Sequence, residues 1–173
     1  MQKNFNLLIS CPRFHEKDAI AEVWYLFSNI GDEEVKGHFT NFPGLIIAKT
    51  SLDPFESIQK LRNLIREDPL ILRFVLKVMP IEFVVETTAE DIIKTASEYV
   101  NRFQDNETFR ITIKNRFSPL DTTGLIVKIA EFIDRKVDLT HPDKEIMIQI
   151  LGNFTGITLL TSEDVLAKVQ FNQ

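Results

Sequence analysis

Apolar residues in the first half of the chain change between a spacing of two and a spacing of three or four positions. Phe5 to Ile9 alternates between apolar and polar side chains, which predicts a short strand. From Glu16 the apolar residues fall on one helical stripe that ends at Gly31, which predicts an amphipathic helix. Two strand-like runs, 35–40 and 45–49, flank a Pro-Gly pair that suits the centre of a type II turn. We therefore predict a hairpin between these two strands.

A second helix and a fourth strand complete this pattern. Asp53 has the position of an N-cap, Pro54 follows at the first helical position, and the helix ends before Pro69. The run from 73 to 85 is apolar and β-branched, with a proline interrupting it, and predicts a strand. The order strand, helix, strand, strand, helix, strand is that of a ferredoxin-like βαββαβ unit. We therefore predict a first domain that covers residues 1–84.

The remaining residues, 85–173, follow without a linker rich in glycine, serine or proline and predict an α/β domain. Thr87 begins a capping box ahead of a helical stripe. The cleanest strand alternation runs from Thr108 to Phe117, and Ser118 then has the position of a helix cap. Two closing strands and a last short helix from Ser162 are expected after it. The predicted fold class of the chain is α+β.

Composition and charge place the chain among ordinary globular proteins. It has 173 residues, of which 44% are hydrophobic and 26% charged, and its formal net charge is -5. An acidic balance argues against a general polyanion-binding protein but permits a local basic site. Residues 1–100 carry -4 of that charge and residues 101–173 carry -1, so the second half of the sequence is nearer to neutral.

The uncharged stretch from Ile146 to Ser162 is close to a membrane span in length. It contains Gln149, Gly152 and Asn153, however, and therefore predicts two buried strands joined by a turn. The single cysteine, Cys11, excludes an intramolecular disulfide and fits a reducing compartment. The N-terminus has no secretory signal, so we expect a cytoplasmic protein.

The sequence offers few groups for catalysis or for holding a metal. The three histidines, His15, His38 and His141, lie in separate predicted elements and do not support a metal site. Glycine-rich nucleotide-binding motifs and the GxSxG motif are absent. Cys11 has no histidine placed to act as its base, and a small half-buried residue is the favoured interpretation. We expect no catalytic residue, no metal and no cofactor, and hence no enzyme.

Asp138, His141 and Asp143 are close enough in sequence to form an acid/base cluster. The same residue types suit a turn ahead of a strand. We favour the turn.

The remaining candidate is a basic face on the cleanest strand. Arg110, Lys114 and Arg116 share this face by alternation, with no acid between them. A strand end followed by a helix N-terminus offers guanidinium groups and free backbone N–H groups to a phosphate. A solvated strand face would have the same spacing, so the spacing alone does not decide between the two.

Three more residues extend this candidate site. Phe117 ends the basic strand, where it is placed to meet a base, although most of the 14 phenylalanines are expected in the core. Arg73 and Lys77 form a smaller basic pair on the strand that leads out of the first domain.

Several segments of the second domain resemble the THUMP domain. They are Thr108 to Arg116 followed by Ser118, Lys136 to Leu139, and Pro142-Asp143 before a strand. The whole chain is most similar to the tRNA acetylation adaptor family. In that family a ferredoxin-like domain with a Pro-Gly hairpin, here Pro43-Gly44, leads through an Arg/Lys-rich strand, here Lys77 to Ile81, into THUMP.

The resemblance implies an α-α-β-α-β-β topology for the second domain and binding of the 3′ CCA end at the tRNA acceptor stem. It also implies a non-catalytic adaptor, because the two binding units leave no room for a catalytic domain. The implied partners are tRNA and a separate RNA acetyltransferase that makes N-acetylcytidine, with neither DNA nor a membrane among them. The alternative is a THUMP-fold protein-interaction module with little RNA affinity, which the net charge of -5 would suit.

The resemblance also assigns residues. Lys114 and Arg116 match the basic pair of the THUMP motif, and Ser118 matches its helix-start serine. Asn115 and Phe117 stand where the family often has a further basic residue and a glycine. The predicted RNA-binding residues are Arg73, Lys77, Arg110, Lys114, Asn115, Arg116, Phe117 and Ser118.

Overall fold

A computed structural model describes residues 3–172. The chain divides into two compact units, one formed by Met1–Ile81 with Glu163–Gln173 and the other by Glu82–Ser162. The predicted division after residue 84 falls close to the point where the first unit gives way to the second. The C-terminal segment differs from the prediction because it joins the first unit. That each unit is a domain able to fold alone stays a prediction.

The first unit is an antiparallel five-stranded sheet with two α-helices. Its elements are β1 (Leu7–Ser10), α1 (Glu16–Ser28), β2 (Lys36–Phe39), β3 (Leu45–Lys49), α2 (Pro54–Glu67), a 3-10 helix (Pro69–Ile71), β4 (Lys77–Pro80) and β10 (Leu166–Ala167). The strands lie in the order β10-β4-β1-β3-β2, and every pairing is antiparallel. The run from β1 to β4 is the βαββαβ order of a ferredoxin-like unit, as predicted.

The apolar stripes of the two helices pack on one face of this sheet. Val23, Leu26 and Phe27 of α1 and Ile58 and Ile65 of α2 are buried, which follows from their spacing of three, four or seven positions. Ile9 and the other inward residues of the strands complete the same core. The alternation read from the sequence therefore accounts for which residues this unit buries.

The predicted hairpin between β2 and β3 is confirmed. Gly44 has a φ of 77°, and a Cβ added there would lie 2.9 Å from the carbonyl oxygen of Cys11. Only glycine fits this close approach. A hydrogen bond joins the same two segments, because the backbone amide of Cys11 donates to the carbonyl oxygen of Gly44 at 2.9 Å. Asp53 caps α2 as predicted, because its carboxylate accepts from the amides of Phe55 and Glu56.

The C-terminal segment is a strand followed by a 3-10 helix (Lys168–Phe171), and the helix predicted from Ser162 is wrong. Leu166 is 1% exposed within the core of the first unit and lies opposite Val78 of β4. The Arg62 guanidinium donates to the carbonyl oxygens of Glu163 and Val165 at 2.8 and 3.2 Å. These long-range contacts override the local capping signal, which sequence spacing alone does not reveal.

The second unit is a mixed five-stranded sheet with two α-helices. Its elements are β5 (Phe83–Glu86), α3 (Ala89–Ser97), a 3-10 helix (Glu98–Arg102), β6 (Thr108–Arg116), α4 (Thr122–Phe132), β7 (Lys136–Val137), β8 (Lys144–Leu151) and β9 (Phe154–Leu160). The strand order is β5-β9-β8-β6-β7, with β6 parallel to both of its neighbours. The implied pair of helices ahead of β6 is therefore α3 and the 3-10 helix that continues it.

Two predicted helix caps in the second unit shift by one and by three residues. Thr88, not Thr87, caps α3, and the Thr87 hydroxyl lies 2.9 Å from the Thr155 hydroxyl instead. Asp121, not Ser118, caps α4, because its carboxylate accepts from the amide of Gly124 at 3.1 Å. The Ser118 hydroxyl accepts from the amide of Leu120 at 3.2 Å and so forms a turn ahead of the helix.

The long uncharged stretch folds as the paired strands β8 and β9 around Gly152, whose φ is 64°. Within residues 3–172, no helix has the length and apolar character to cross a membrane.

A buried carboxylate closes the connection after α1 in the first unit. Asp32 is 2% exposed and accepts from the Thr50 hydroxyl at 2.5 Å and from the amides of Ser51 and Glu34 at 3.0 Å each. Burial raises the pKa of Asp32, but the hydrogen bonds from Thr50, Ser51 and Glu34 outweigh it and hold that pKa below its ordinary value. The charged form of Asp32 therefore stabilises the fold.

We expect Asp32→Asn to lower the free energy of unfolding by about 2 kcal/mol at neutral pH, because it removes hydrogen bonds to a charged acceptor. The native pKa of Asp32 is depressed, so this stability is present above the unfolded pKa and is lost as pH falls through the native pKa. Urea denaturation from neutral to acid pH tests this. We expect the difference in the free energy of unfolding between wild type and variant to narrow as the pH falls. A difference that stays constant with pH would contradict a stabilising role for the charged form of Asp32.

Candidate nucleic-acid interface

The strand β6 separates a buried face from a polar face. Phe109 and Ile111 are 2% and 9% exposed in the core of the second unit. Arg110, Lys114 and Arg116 alternate with them on the other face. The predicted basic face therefore exists as a strand face, and its value as an anion site depends on what each cation already contacts.

Arg110 is already neutralised. Its Nε donates to the Glu145 carboxylate at 2.6 Å, a second guanidinium nitrogen forms an ion pair with the same carboxylate, and Nη1 donates to the Leu139 carbonyl at 2.9 Å. The Thr112 hydroxyl donates to Glu145 as well, at 2.7 Å. The predicted face of three cations is thus reduced to Lys114 and Arg116.

Arg116 and Lys114 retain their charge near the end of the strand. The Arg116 guanidinium donates to the Gln149 side-chain oxygen at 2.7 Å, and Gln149 is a neutral partner. Burial lowers the pKa of Arg116 from its ordinary value, but an arginine remains a cation in proteins. Lys114 is exposed and makes no ion pair with any residue in the described range 3–172. Two cations are therefore available to a ligand here.

Phe117 follows directly, in a conformation that only glycine adopts readily. Its φ is 62° and its side chain is 93% exposed. For a non-glycine residue the left-handed region costs roughly 1–2 kcal/mol. Phe117 is thus a largely exposed aromatic residue on a strained backbone, close in sequence to Lys114 and Arg116.

Neighbouring hydrogen bonds hold this strained residue in place. The Gly152 amide donates to the Arg116 carbonyl at 2.9 Å, and the Asn115 side-chain amide donates to the Ser118 carbonyl at 3.0 Å. Asn115 and Ser118 therefore shape the turn around Phe117.

The N-terminus of α4, which the sequence predicts to bind an anion, is already capped by a carboxylate of the same chain. Asp121 places its own carboxylate there as the cap of α4, and Ser118 lies three residues before it. The prediction that β6 runs straight into a helix N-terminus is therefore wrong. The anion-binding capacity of this site comes from Lys114 and Arg116.

The eight predicted RNA-binding residues fall in both compact units. Arg110, Lys114, Asn115, Arg116, Phe117 and Ser118 belong to the second unit, and Arg73 and Lys77 belong to the first. Lys77 begins β4, and the Arg73 amide donates to the Glu22 carboxylate at 2.6 Å. Their role in RNA binding stays a prediction.

The other candidate groups for catalysis, the cluster around Asp138 and the thiol of Cys11, have structural roles. The Asp138 carboxylate accepts from the amides of Thr140 and His141 at 2.9 Å, and these bonds lower the pKa of Asp138, so the predicted turn is confirmed. Cys11 is 5% exposed, and its burial raises its pKa to about 11, which fits the interpretation as a packed residue. No group of three metal-ligating side chains occurs among residues 3–172.

The charge distribution differs from the one read along the sequence. Residues 82–162 contain 9 basic and 13 acidic residues, a net charge of -4. The first unit contains 11 basic and 12 acidic residues, a net charge of -1. The compact unit that carries β6 is therefore the more acidic one, and Lys114 with Arg116 forms a local pair of cations within it.

Residues 86–160 match the family model of the THUMP domain. The chain is 27% identical over 92 residues to the uncharacterized protein MJ0421 of Methanocaldococcus jannaschii, an alignment that covers 50% of this chain and 26% of that protein. The chain thus spans about a quarter of the length of this relative. Residues 86–160 are therefore similar to the THUMP domain.

Solved structures share the fold of both units. The protein PH1313 of Pyrococcus horikoshii has a TM-score of 0.65 at 20% identity, covering 95% of this chain and 55% of that one. A 4-thiouridine synthetase solved in complex with RNA and ATP has a TM-score of 0.59 at 13% identity, with coverages of 95% and 42%. TrmN of Thermus thermophilus has a TM-score of 0.57 at 12% identity, with coverages of 88% and 44%. At these identities the likeness establishes the fold.

The backbone strain at Phe117 generates a stability prediction. We expect Phe117→Gly to leave the free energy of unfolding within about 1 kcal/mol of wild type, because relief of strain offsets the greater entropy of the unfolded glycine. Phe117→Val places a β-branched residue at positive φ and should destabilise by about 1 kcal/mol or more. Urea denaturation of both variants measures this. Equal stability of the two variants would contradict the strained geometry.

Proposed function

We propose that this chain binds RNA through the end of β6, and that its ligand is the acceptor stem and 3′ CCA end of tRNA. The observation that carries the proposal is the placement of Lys114, Arg116 and the exposed ring of Phe117 on three of four consecutive positions. A cation for the phosphate and an aromatic ring for the base are the contacts by which proteins bind unpaired nucleotides. The THUMP match supports this assignment, as does the likeness to a synthetase solved with RNA.

Within this proposal the chain acts as a non-catalytic cytoplasmic adaptor. It presents tRNA to a separate RNA acetyltransferase, which forms N-acetylcytidine. The support is the arrangement of a ferredoxin-like unit with a THUMP domain, which resembles the tRNA acetylation adaptors. Affinity purification of the chain tests the partner: recovery of a single acetyltransferase together with tRNA is expected, and recovery of tRNA alone would contradict the adaptor role.

The second candidate is a THUMP-fold protein-interaction module with little RNA affinity. The pairing of Arg110 with Glu145 and the net charge of -4 on the second unit favour it. Both features lower the attraction of this unit for a polyanion. The two candidates differ in whether the chain binds tRNA in a manner that depends on CCA.

We expect Lys114→Ala combined with Arg116→Ala to weaken tRNA binding. Loss of two phosphate contacts should reduce the slope of log Kd against log salt by about 1 to 2. Filter binding at several salt concentrations measures this slope, with tRNA transcripts that contain or lack the 3′ CCA. Wild type should bind the CCA-ended transcript more tightly.

The matched control is Lys128→Ala with Lys136→Ala, which removes the same charge from the same unit. Lys128 lies on α4, and Lys136 pairs with Thr108 at the opposite end of β6 from Arg116. This control should leave the slope close to that of wild type. An equal loss in both double variants would show that only net charge matters, and equal affinity with and without CCA would favour the protein-interaction module.

A further inference from the structure

Two phenylalanines share one unusual combination of features. Within residues 3–172, the non-glycine residues with positive φ are Phe14 and Phe117, with φ values of 70° and 62°. Their side chains are 92% and 93% exposed. Each follows an arginine, and each lies in the connection from a strand to a helix, β1 to α1 and β6 to α4. Burial does not account for the ring of Phe14, since a ring that is 92% exposed gains little from the hydrophobic effect and the backbone under it is strained.

The loop that carries Phe14 is ordered by hydrogen bonds on both sides. The His15 amide donates to the Pro12 carbonyl at 3.1 Å, and the Cys11 amide donates to the Gly44 carbonyl at 2.9 Å. The Gly44 amide in turn donates to the Glu16 carboxylate at 2.6 Å. Hydrogen bonds therefore hold the backbone of the loop that carries Phe14.

Basic residues lie near Phe14 in the sequence and at the same end of the sheet. Arg13 and Lys17 are exposed and make no ion pair with any residue that the structure describes. Lys77 lies opposite Ser10, the last residue of β1, and so belongs to the same end of the sheet. Arg73 adjoins Phe74, whose ring stacks on that of His15 at a centroid distance of 5.2 Å.

The acids close to this ring are already engaged. The Asp18 carboxylate lies 2.9 Å from the His15 ring nitrogen. Glu22 accepts from the amides of Arg73, Phe74 and Val75 at distances of 2.6–3.2 Å. A hydrogen bond from a backbone amide leaves a carboxylate charged, so Glu16 and Glu22 remain anionic and the surface around Phe14 carries acids as well as basic residues, in a unit whose net charge is -1.

We infer that Phe14, Arg13 and Lys77 form a second RNA-binding site, which takes an unpaired nucleotide. The ring of Phe14 stacks on the base, and the two cations bind the flanking phosphates. The inference rests on the proposed RNA-binding function. It assigns a phosphate ligand to Lys77 and adds Phe14 and Arg13, to which the THUMP resemblance gives no role. An apolar protein partner fits less well, because Arg13 adjoins this single exposed ring and Lys77 lies at the same end of the sheet.

The test is a titration of the full chain with an unmodified tRNA transcript that ends in CCA. Phe14→Gly keeps the backbone conformation and removes the ring, and we expect its Kd to rise at least about fivefold. Phe14→Trp should retain wild-type affinity, whereas Phe14→Leu should bind as weakly as the glycine variant. Arg13→Ala should weaken binding and reduce its salt dependence. The control is Lys36→Ala, because Lys36 lies opposite Lys49 at the other end of this sheet. This variant should change neither the affinity for tRNA nor its salt dependence.

The outcomes separate this inference from the proposed function. If Phe117→Gly weakens tRNA binding while Phe14→Gly stays within about twofold of wild type, the second site is wrong and the proposed function stands. If Phe14→Leu binds as tightly as wild type, the contact is not base stacking and the inference fails. If wild type does not bind the transcript at all, both proposals fail together.

Discussion

The parallel pairing of β6 with β8 is the constraint on which the candidate site depends. Eight consecutive register pairs, from Phe109 with Lys144 to Arg116 with Leu151, fix β6 along its length. Because strand side chains alternate, burial of Phe109 and Ile111 in the core commits the polar residues to the other face. The pairing ends at Arg116, where the Gly152 amide binds the last carbonyl and the chain turns through Phe117.

The same pairing decides which cations remain available. Glu145 and Gln149 lie four residues apart on β8 and point to the same face, yet one is an acid and the other a neutral amide. Arg110 contacts the acid and is neutralised, while Arg116 contacts the amide and keeps its charge available. A strand with three cations thus carries its usable positive charge at one end, next to the exposed aromatic ring. An acidic unit can bind a polyanion locally in this way without attracting it over its whole surface.

Local patterns in the sequence account for most of the fold but only part of the site. The alternation in β6, the glycine turn of the first hairpin and the Asp53 cap depend on neighbouring residues, and all three were predicted correctly. The neutralisation of Arg110 depends on a residue 35 positions away, so only the strand register reveals it. The C-terminal strand depends on pairing with β4, where Leu166 lies 88 positions from Val78, and on contacts of Arg62 more than 100 positions away, which no local pattern encodes.

The exposure and backbone conformation of Phe14 and Phe117 are also features that local sequence patterns do not predict. The basic residues before Phe117 make it a candidate base-binding residue, whereas the sequence around Phe14 predicts only a turn after Pro12. Positive φ at a bulky residue has no sequence signature of its own, since glycine and asparagine are the residues that normally mark it.

The most direct test of the central claim is an NMR titration of the isotope-labelled chain, whose mass is 20.0 kDa, with a single-stranded RNA that ends in CCA. Binding at the end of β6 predicts that, within the second unit, the largest changes in amide chemical shift occur at residues 114–118. Changes in the second unit that leave these residues unmoved, or no changes at all at saturating RNA, would contradict it.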